Sequence, residues 1–351
     1  MIKLLVVDDS ALMRRLLGQI FSAEGDFELA FARDGIEALE AVSAFSPDVV
    51  TLDVQMPRMD GLTCLDRIML EHPCPVVMLS SLTTAGADAT LQALELGAVD
   101  AIAKPQGALS LDMEEMAPLL VAKVRAASQA RPRRSRRLAE RLRHRMTIPS
   151  GPPLRRASAA TEAGIVLVGA STGGPPALDA LLAPLPADFP WPIVVAQHMP
   201  STFTGPLARR LARLAALEVV EVTAPMPLRP GRVYIGRGDA DVIIGNRPAG
   251  PVVLSAPASA AYRWHPSADR LVESAMAILP PERLIGVLMT GMGDDGAQTM
   301  TRLREQGGRT IAEAEETAIV WGMPGALVRS GGAEAVLPLE EIGSRLLEWL
   351  A

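Results

Sequence analysis

The chain has 351 residues, 21% of them charged, and a formal net charge of −6 at pH 7. This length suits two domains with separate cores, and the acidic balance argues against specific or general nucleic-acid binding. No apolar run is long enough to span a bilayer, and the first residues, MIKLLVVDDS, do not have the pattern of a signal peptide. Two cysteines are too few for a disulfide framework. The sequence therefore predicts a cytoplasmic protein that is not embedded in a membrane.

The first predicted domain, residues 1–124, alternates short apolar segments with amphipathic ones. Five of the apolar segments are predicted to be β-strands: KLLVVDD, FELAFA, DVVTLD, PVVMLSS and AVDAIAKP. Helical patterns such as SALMRRLLGQIFSAEG and GIEALEAVSAF separate them. Apolar strands that alternate with helices indicate a doubly wound parallel sheet covered on both faces. Ligands of such a sheet bind at the carboxyl ends of its strands.

Acidic side chains, a hydroxyl and a lysine follow the ends of these strands. Asp8 and Asp9 end the first strand, and Asp53 ends the third. Carboxylates at neighbouring strand ends repel one another unless a hard cation lies between them, and Mg²⁺ prefers such ligands. Ser80 and Lys104, at the ends of later strands, would suit a phosphoryl group that Asp53 attacks to form an acyl phosphate. The alternative is that Asp8 and Asp9 only cap the helix that follows them.

The motifs VVDDS, TLDVQMPRMDG, MLSS and AKP resemble those of receiver domains of two-component response regulators, over residues 2 to about 123. The resemblance implies a flavodoxin-like fold, a histidine kinase as phosphodonor and Asp53 as the phospho-acceptor. The Mg²⁺ ligands that it implies are Asp8, Asp9, Asp53 and the carbonyl of Gln55. Ser80 and Lys104 would then contact the phosphoryl group. Ala101 stands where many receivers carry an aromatic switch residue, which disfavours an aromatic-rotamer switch and leaves a hydroxyl shift at Ser80 open.

Residues 125–160 have the composition of a linker. The run RPRRSRRLAERLRHR contains eight arginines in fifteen residues, and a segment rich in proline, serine and alanine follows it. We predict one short helix at Leu138 to Met146 within this linker. A nucleic-acid contact is the alternative, but no aromatic residues are interleaved and a charge run is usually a solvated face.

The second predicted domain, residues 161–351, repeats the alternation of strands with helices. Its predicted strands are GIVLVGAS, PIVVAQH, VYIG, PVVLS, RLIGVLMTG and GGRTIAEA. The pattern indicates a second, independent α/β domain with a Rossmann-like parallel sheet. The fold class is therefore α/β, with two doubly wound parallel-sheet domains joined by a linker.

A nucleophilic serine is the sharpest hypothesis for this second domain. Ser171 lies in a G-x-S-x-G motif after the first strand, His198 ends PIVVAQH, and GMGDDG places Asp294 and Asp295 after another strand. Three strand ends would then bring a serine, a base and an acid to one edge of a parallel sheet. The helix after Ser171 can direct backbone N–H groups at an oxyanion. The alternative reading makes Ser171 a small residue in a glycine-rich turn and His198 a structural residue.

Two observations limit this hypothesis. The other histidine of the domain, His265, follows no predicted strand and is expected to open a helix near Pro266. The chain order Ser…His…Asp also differs from the Ser…Asp…His order of ordinary α/β-hydrolases. That order argues against the default family for the motif but not against the geometry.

The motifs VGASTGGPPAL, VVAQHMPSTFT, RWHPSAD, VLMTGMGDDGA and WGMPGALV resemble those of chemotaxis protein-glutamate methylesterases. The resemblance implies that Asp295, rather than Asp294, is the acid of the triad. It also implies that Thr172 and Met292 contribute to the oxyanion site.

The implied reaction is hydrolysis of glutamate γ-methyl esters on chemoreceptors, with deamidation of receptor glutamines as a second activity. The esterase chemistry would need no cofactor, whereas phosphorylation by a chemotaxis histidine kinase would need Mg²⁺ and would relieve inhibition by the receiver. We expect a monomer. Two other classes stay open, namely a regulator whose second domain only binds a partner and a nucleic-acid-binding regulator that uses the arginine run.

Overall fold

The computed structural model describes residues 1–81, 83–104, 109–130 and 164–351, with the backbone alone described for 84–85 and 109–115. The chain divides into two compact units between Thr161 and Glu162. The predicted linker helix and the arginine run lie outside the described residues. Within the part that is described, no helix is both long enough and apolar enough to cross a membrane.

The N-terminal unit is a parallel sheet with helices between its strands. Its strands are β1 (Ile2–Val7), β2 (Phe27–Ala32), β3 (Val49–Asp53), β4 (Val76–Ser80) and β5 (Asp100–Ala103). Its helices are α1 (Ala11–Glu24), α2 (Gly35–Phe45), α3 (Gly61–Glu71), α4 (Thr84–Leu96) and α5 (Leu109–Ser128). The strand order is β2-β1-β3-β4-β5, and every pairing is parallel. Because β1 and β3 are neighbours, the residues that follow them meet at one edge.

Local sequence explains where these elements begin and end. All five residues of β3 are buried, as expected for an apolar strand covered on both faces. Ser10 caps α1 by accepting a hydrogen bond from Met13 N, and Gly25 ends that helix in the left-handed conformation. The cap is therefore Ser10 rather than Asp8 or Asp9, although Asp8 Oδ1 accepts a hydrogen bond from Ser10 N at 2.9 Å in the same turn.

The C-terminal unit is larger and contains two sheets. Its strands are β6 (Ile165–Ala170), β7 (Ile193–Gln197), β8 (Glu218–Val222), β9 (Met226–Pro227), β10 (Arg232–Gly236), β11 (Ala240–Arg247), β12 (Gly250–Pro257), β13 (Leu284–Leu288), β14 (Arg309–Glu313) and β15 (Ala335–Leu337). Its α-helices are α6 (Gly174–Leu182), α7 (Ser201–Leu214), α8 (Ala268–Met276), α9 (Ala297–Glu305), α10 (Met323–Arg329) and α11 (Leu339–Leu350). The main sheet has the order β15-β14-β13-β6-β7-β10-β8. Its pairings are all parallel, which confirms the predicted class of two parallel-sheet α/β units.

One predicted strand of this unit does not belong to the parallel sheet. The segment PVVLS lies in β12, which pairs antiparallel with β11 and β9 in a separate three-stranded sheet. The expectation that it extends the main sheet is therefore wrong. The short connection from Arg247 to Gly250 permits only a hairpin, since a parallel crossover needs a dozen or more residues.

The register of the main sheet brings three loops to one edge. Ala170 pairs with Gln197 across β6 and β7, so the residues that follow them, Ser171 and His198, are neighbours. Leu288 pairs with Gly169 across β13 and β6, which adds the loop after β13 to the same edge. The topology thus places the three predicted catalytic segments together.

Gly61 lies so close to neighbouring backbone that a side chain would be hard to accommodate there. A Cβ there would lie 2.0 Å from the carbonyl oxygen of Asp53 and 2.9 Å from Val54 Cα, both backbone atoms. We expect Gly61→Ala to lower the free energy of unfolding of this unit by about 2 kcal/mol or more. Amide hydrogen exchange of the β1 and β3 peptides measures the change.

Gly18→Ala is the matched control in the same unit. Its Cβ would meet only the end of the Phe31 side chain, at 3.1 Å. Because alanine favours a helix over glycine, this variant should be neutral or more stable by up to about 1 kcal/mol. Equal destabilisation by the two substitutions would contradict the close approach assigned to Gly61.

Candidate active site and phosphorylation site

Three carboxylates and a lysine meet at the carboxyl ends of β1 and β3. One oxygen each of Asp8, Asp9 and Asp53 lies within 4.8 Å of the other two. Lys104 Nζ lies 2.7 Å from Asp8 Oδ2 and 2.7 Å from Asp53 Oδ2. Asp8 and Asp53 are buried, whereas Asp9 is exposed. The structure therefore brings together the acidic and basic residues that the sequence analysis selected.

The negative charge of this cluster is only partly compensated. Burial raises the pKa of Asp53 above its ordinary 3.8, and the charge of Asp8 adds to the effect, although Lys104 opposes it. Burial lowers the pKa of Lys104, but its hydrogen bonds to Asp53 and Asp8 outweigh burial and raise it. Among the described residues, the ammonium group of Lys104 pairs with two of the three carboxylates, those of Asp8 and Asp53. An oxygen-rich cluster with excess negative charge fits a hard divalent cation such as Mg²⁺.

The other predicted receiver residues border this cluster. Gln55 N donates a hydrogen bond to Asp53 Oδ1 at 3.3 Å, so the turn after β3 folds back towards the Asp53 carboxylate. Ser80 follows Leu79, the strand partner of Asp53, and its Oγ donates to the Gly86 carbonyl at 3.0 Å. Ala101 lies within β5, where its methyl group provides no aromatic rotamer.

In the C-terminal unit, Ser171 lies on a tight turn between β6 and α6. Gly173 has φ 79°, in the region that glycine adopts without strain. A Cβ on Gly174 would lie 1.8 Å from Gln197 Oε1, so the turn also needs glycine to approach β7. Ser171 N donates to the Thr290 carbonyl at 3.0 Å, and Gly174 N donates to the Ser171 carbonyl at 2.8 Å. Two glycines of this turn are therefore explained, Gly173 by its positive φ and Gly174 by its close approach to the Gln197 side chain.

His198 lies between this turn and Asp295. Its backbone N–H donates to the Ala170 carbonyl at 3.0 Å, which places it next to Ser171. Its Nε2 lies 2.7 Å from Asp295 Oδ2, while its Nδ1 is buried and has no hydrogen-bond partner among the described residues. The structure thus joins the predicted base to the predicted acid and shows no hydrogen bond between His198 and Ser171.

The carboxylate of Asp295 is held by the N-terminus of α8. It accepts hydrogen bonds from Ser267 Oγ at 2.9 Å, Ala268 N at 2.7 Å and Asp269 N at 3.1 Å. Burial raises its pKa, but the hydrogen bond with His198 and those from the helix outweigh burial and lower it below 3.8. Asp294, by contrast, is exposed. The environment therefore distinguishes the two aspartates that the sequence left open.

This environment also assigns the proton on the imidazole ring. An ionised carboxylate can only accept hydrogen bonds, so the Nε2 of His198 that faces Asp295 carries hydrogen. In the neutral ring, Nδ1 then carries the lone pair. The atom able to accept a proton is therefore the buried Nδ1.

His265 does not join this group. Its Nδ1 lies 2.9 Å from Asp241 Oδ1, and Arg270 Nη1 lies 2.5 Å from the other oxygen of that buried carboxylate. The helix expected near Pro266 is α8, which begins at Ala268 with Ser267 as its N-cap, so Pro266 precedes the helix instead of occupying its first position. The Ser267 hydroxyl accepts a hydrogen bond from Arg270 N at 3.2 Å, which a proline cannot do.

The predicted oxyanion residues lie on backbone segments that border Ser171. A Cβ on Gly291 would lie 2.7 Å from Ser171 Cβ, so the loop that continues to Met292 abuts the serine. Thr290 Oγ1 donates to the Thr172 carbonyl at 2.9 Å, which ties this loop to the turn. The roles of Thr172 and Met292 stay predictions.

Two residues of the site were not selected from the sequence. Gln197 Nε2 donates to the carbonyls of Ser171 and His198, at 2.9 and 3.2 Å, and so connects the two backbones. The Trp264 ring stacks on the His198 imidazole, with centroids 5.3 Å apart and an interplanar angle of 12°. A buried amide at the end of an apolar strand is a signal that could have identified Gln197. Sequence spacing gives no equivalent signal for Trp264.

Comparison with known proteins covers both units. Residues 4–113 match the response regulator receiver domain family, and residues 166–346 match the CheB methylesterase family. Protein-glutamate methylesterase/protein-glutamine glutaminase 2 of Rhodopseudomonas palustris is 60% identical over 99% of this chain and 98% of its own length. The protein of that name numbered 3 from Rhodospirillum rubrum is 53% identical over 100% of this chain and 97% of its own length.

Among solved structures, the Thermotoga maritima CheB methylesterase catalytic domain is similar to the C-terminal unit. It is 37% identical, with a TM-score of 0.51, and the match covers 53% of this chain and 98% of that domain. The match therefore extends over the unit that contains Ser171.

The raised pKa of Asp53 predicts a stability change. Folding disfavours the ionised form of an acid whose folded pKa exceeds its unfolded value, and this cost is present at pH values above the folded pKa. We expect Asp53→Asn to slow amide exchange in β1 and β3 at pH 7, and the gain to vanish as pH falls below about 3.8.

Asp9→Asn is the control, because that carboxylate is exposed and should change exchange less. Mg²⁺ should slow exchange more in the intact chain than in Asp53→Asn, since that variant lacks one ligand charge. Faster exchange in Asp53→Asn at pH 7 would contradict the electrostatic account.

Proposed function

Because this chain belongs to the CheB methylesterase family of proteins with a receiver domain, we propose that it is a phosphorylation-regulated protein-glutamate methylesterase. Its substrates are glutamate γ-methyl esters on chemoreceptors, and it also deamidates receptor glutamines. The observation that carries the proposal is the His198–Asp295 hydrogen bond beside the Ser171 turn, at one edge of a parallel sheet. The enzyme is a cytoplasmic monomer in this proposal.

The first step is attack of Ser171 on the ester. The Ser171 hydroxyl attacks the ester carbonyl while Nδ1 of His198 takes its proton, because Nε2 already donates to Asp295. Asp295 fixes the tautomer and stabilises the imidazolium that forms. The protonated Nδ1 then donates its proton to the methoxide oxygen, so methanol leaves and an acyl-enzyme forms.

The developing oxyanion needs donors on the other side of the carbonyl. Backbone N–H groups near Thr172 and Met292 supply them in this proposal, each worth about 3 kcal/mol in comparable sites. Two observations support the assignment, namely the close approach of Gly291 to Ser171 and the bond between Thr290 and Thr172. Water that His198 activates hydrolyses the acyl-enzyme, and a glutamine substrate follows the same path with ammonia leaving.

The receiver supplies regulation. Asp53 attacks the phosphorus of a phosphohistidine on a chemotaxis histidine kinase, so the P–N bond breaks, the kinase histidine leaves and an acyl phosphate forms on Asp53. Mg²⁺ held by Asp8, Asp9, Asp53 and the Gln55 carbonyl would neutralise charge on that group. Lys104, now shared by two carboxylates, would pair with a phosphoryl oxygen, and Ser80 Oγ would exchange the Gly86 carbonyl for another. That exchange would release a contact of α4 and transmit the modification.

The esterase is tested by methanol release from methyl-labelled receptor membranes. We expect Ser171→Ala to lower the rate at least about 10³-fold, because the variant lacks the hydroxyl that forms the acyl-enzyme in this proposal. Ser344→Ala, at an exposed position on α11, is the control and should keep the rate of the intact protein. Equal release by Ser171→Ala would exclude the serine mechanism.

The regulatory proposal is tested with acetyl phosphate and Mg²⁺ in the same assay. We expect the phosphodonor to stimulate the intact protein, and the ratio of stimulated to unstimulated rates to fall to about one in Asp53→Asn. Asp48→Asn, which alters a carboxylate that accepts a hydrogen bond from Lys3 N, should keep the response. Normal stimulation of Asp53→Asn would remove this residue from the switch.

A further inference from the structure

The imidazole of His198 has two contacts that fix its orientation. One is the hydrogen bond between Nε2 and Asp295, and the other is the Trp264 ring against its face, nearly parallel at an interplanar angle of 12°. A hydrogen bond alone still tolerates tilts of about 30° from linearity. A planar ring packed against the face restrains that tilt, because any rotation of the imidazole out of its plane meets the indole.

The indole is itself held by the loop between β12 and α8. On either side of it, the Tyr262 hydroxyl donates to Glu273 Oε2 at 2.5 Å, and His265 Nδ1 binds the buried carboxylate of Asp241. Ser267 N also donates to Asp241, at 2.9 Å. The residues around Trp264 are therefore anchored by hydrogen bonds to two other elements.

The same loop holds the acid of the triad. Ser267 Oγ and Ala268 N donate to Asp295, so one short segment contacts both the face of His198 and the carboxylate at its edge. The indole also reaches the loop after β13, since a Cβ on Gly293 would lie 3.5 Å from Trp264 Nε1. Trp264 thus stacks on the base and lies close to the loop that carries Asp295.

Two physical effects could follow from the stack. An indole face attracts a cation, and His198 becomes a cation when it takes the proton of Ser171. The guanidinium of Arg263, however, already lies 5.1 Å from the centroid of the same indole, which reduces the attraction available to a second cation. Fixing the ring plane is therefore the stronger contribution.

We propose that Trp264 is a positioning residue of the esterase, whose indole holds the His198 ring in the plane from which Nδ1 reaches the Ser171 hydroxyl. This inference rests on the proposed function and deepens it. Trp264 acts through His198 and touches no reacting atom of the ester. A misplaced base lowers the rate of the chemical step and leaves substrate binding unchanged.

The test compares Trp264→Leu with Trp264→Phe in the full chain, with methyl-labelled receptor membranes as substrate. Leucine fills space without a planar face, whereas phenylalanine keeps one. We expect the leucine variant to lower kcat about 10- to 100-fold with KM changed less than about threefold, and the phenylalanine variant to recover most of kcat.

Trp349→Leu is the matched control. Trp349 is a half-buried indole of α11 in the same unit and also lies against a guanidinium, that of Arg309, at 3.6 Å. None of the contacts described above for the site involves Trp349. Trp349→Leu should keep kcat. This result would distinguish the general loss of a packed tryptophan from the specific loss of Trp264.

A second readout does not depend on catalysis. The stacked indole should shift the ring-proton resonances of His198 upfield, and comparison with His198→Gln identifies them among the four histidines. The shift should disappear in Trp264→Leu and persist in part in Trp264→Phe. If the intact protein releases no methanol, the proposed function fails. The resonances would still show whether the Trp264 indole fixes the orientation of the His198 imidazole.

Four results would overturn the inference. The first is a leucine variant with unchanged kcat, and the second is His198 resonances unaffected by the loss of the indole. The third is a raised KM at constant kcat, which would make Trp264 a contact for the receptor. Equal losses in Trp264→Phe and Trp264→Leu would likewise exclude a role for the planar face.

Discussion

The buried carboxylate of Asp295 is the constraint on which the candidate esterase site depends. An ionised carboxylate removed from water costs several kcal/mol unless donors replace the solvent. Here His198, the Ser267 hydroxyl and two backbone N–H groups of α8 do so. These donors come from two separate segments, the end of β7 and the N-terminus of α8. The hydrogen bonds that stabilise the buried charge of Asp295 therefore also bring these two segments together at the site. One consequence is visible at Asp269, where burial and the charge of Asp295 raise the pKa.

The two sites use the same residue type in opposite electrostatic states. Asp295 is surrounded by donors, and its pKa is lowered although it is buried. Asp53 has fewer donors and a carboxylate neighbour, and its pKa is raised. The difference suits their proposed roles, because a triad acid must stay ionised beside its histidine. In a phospho-acceptor cluster, by contrast, uncompensated negative charge favours the binding of a cation.

Both sites follow from one property of parallel sheets. Adjacent parallel strands end at the same edge, so residues distant in sequence meet without a dedicated loop architecture. In the C-terminal unit the order β13-β6-β7 places the loops of Asp295, Ser171 and His198 side by side. The antiparallel hairpin β11–β12 lies outside that sheet but leads into α8, whose N-terminus binds Asp295. The added sheet thus positions the acid rather than the nucleophile.

The sequence by itself determined the fold class, the strand ends and the residue types at them, because apolar periodicity and motif spacing are local properties. It selected Asp53, Ser171, His198 and the aspartate pair, and its motifs resembled the family that full-length relatives then identified. Only the tertiary structure decided which ring nitrogen of His198 faces Asp295, how the two aspartates differ in burial, and which strands leave the parallel sheet. The stack of Trp264 on His198 was likewise decided there, since it joins residues 66 positions apart through a loop whose path depends on Asp241. Contacts of that kind have no period in the sequence, because they arise from packing between elements and not within them.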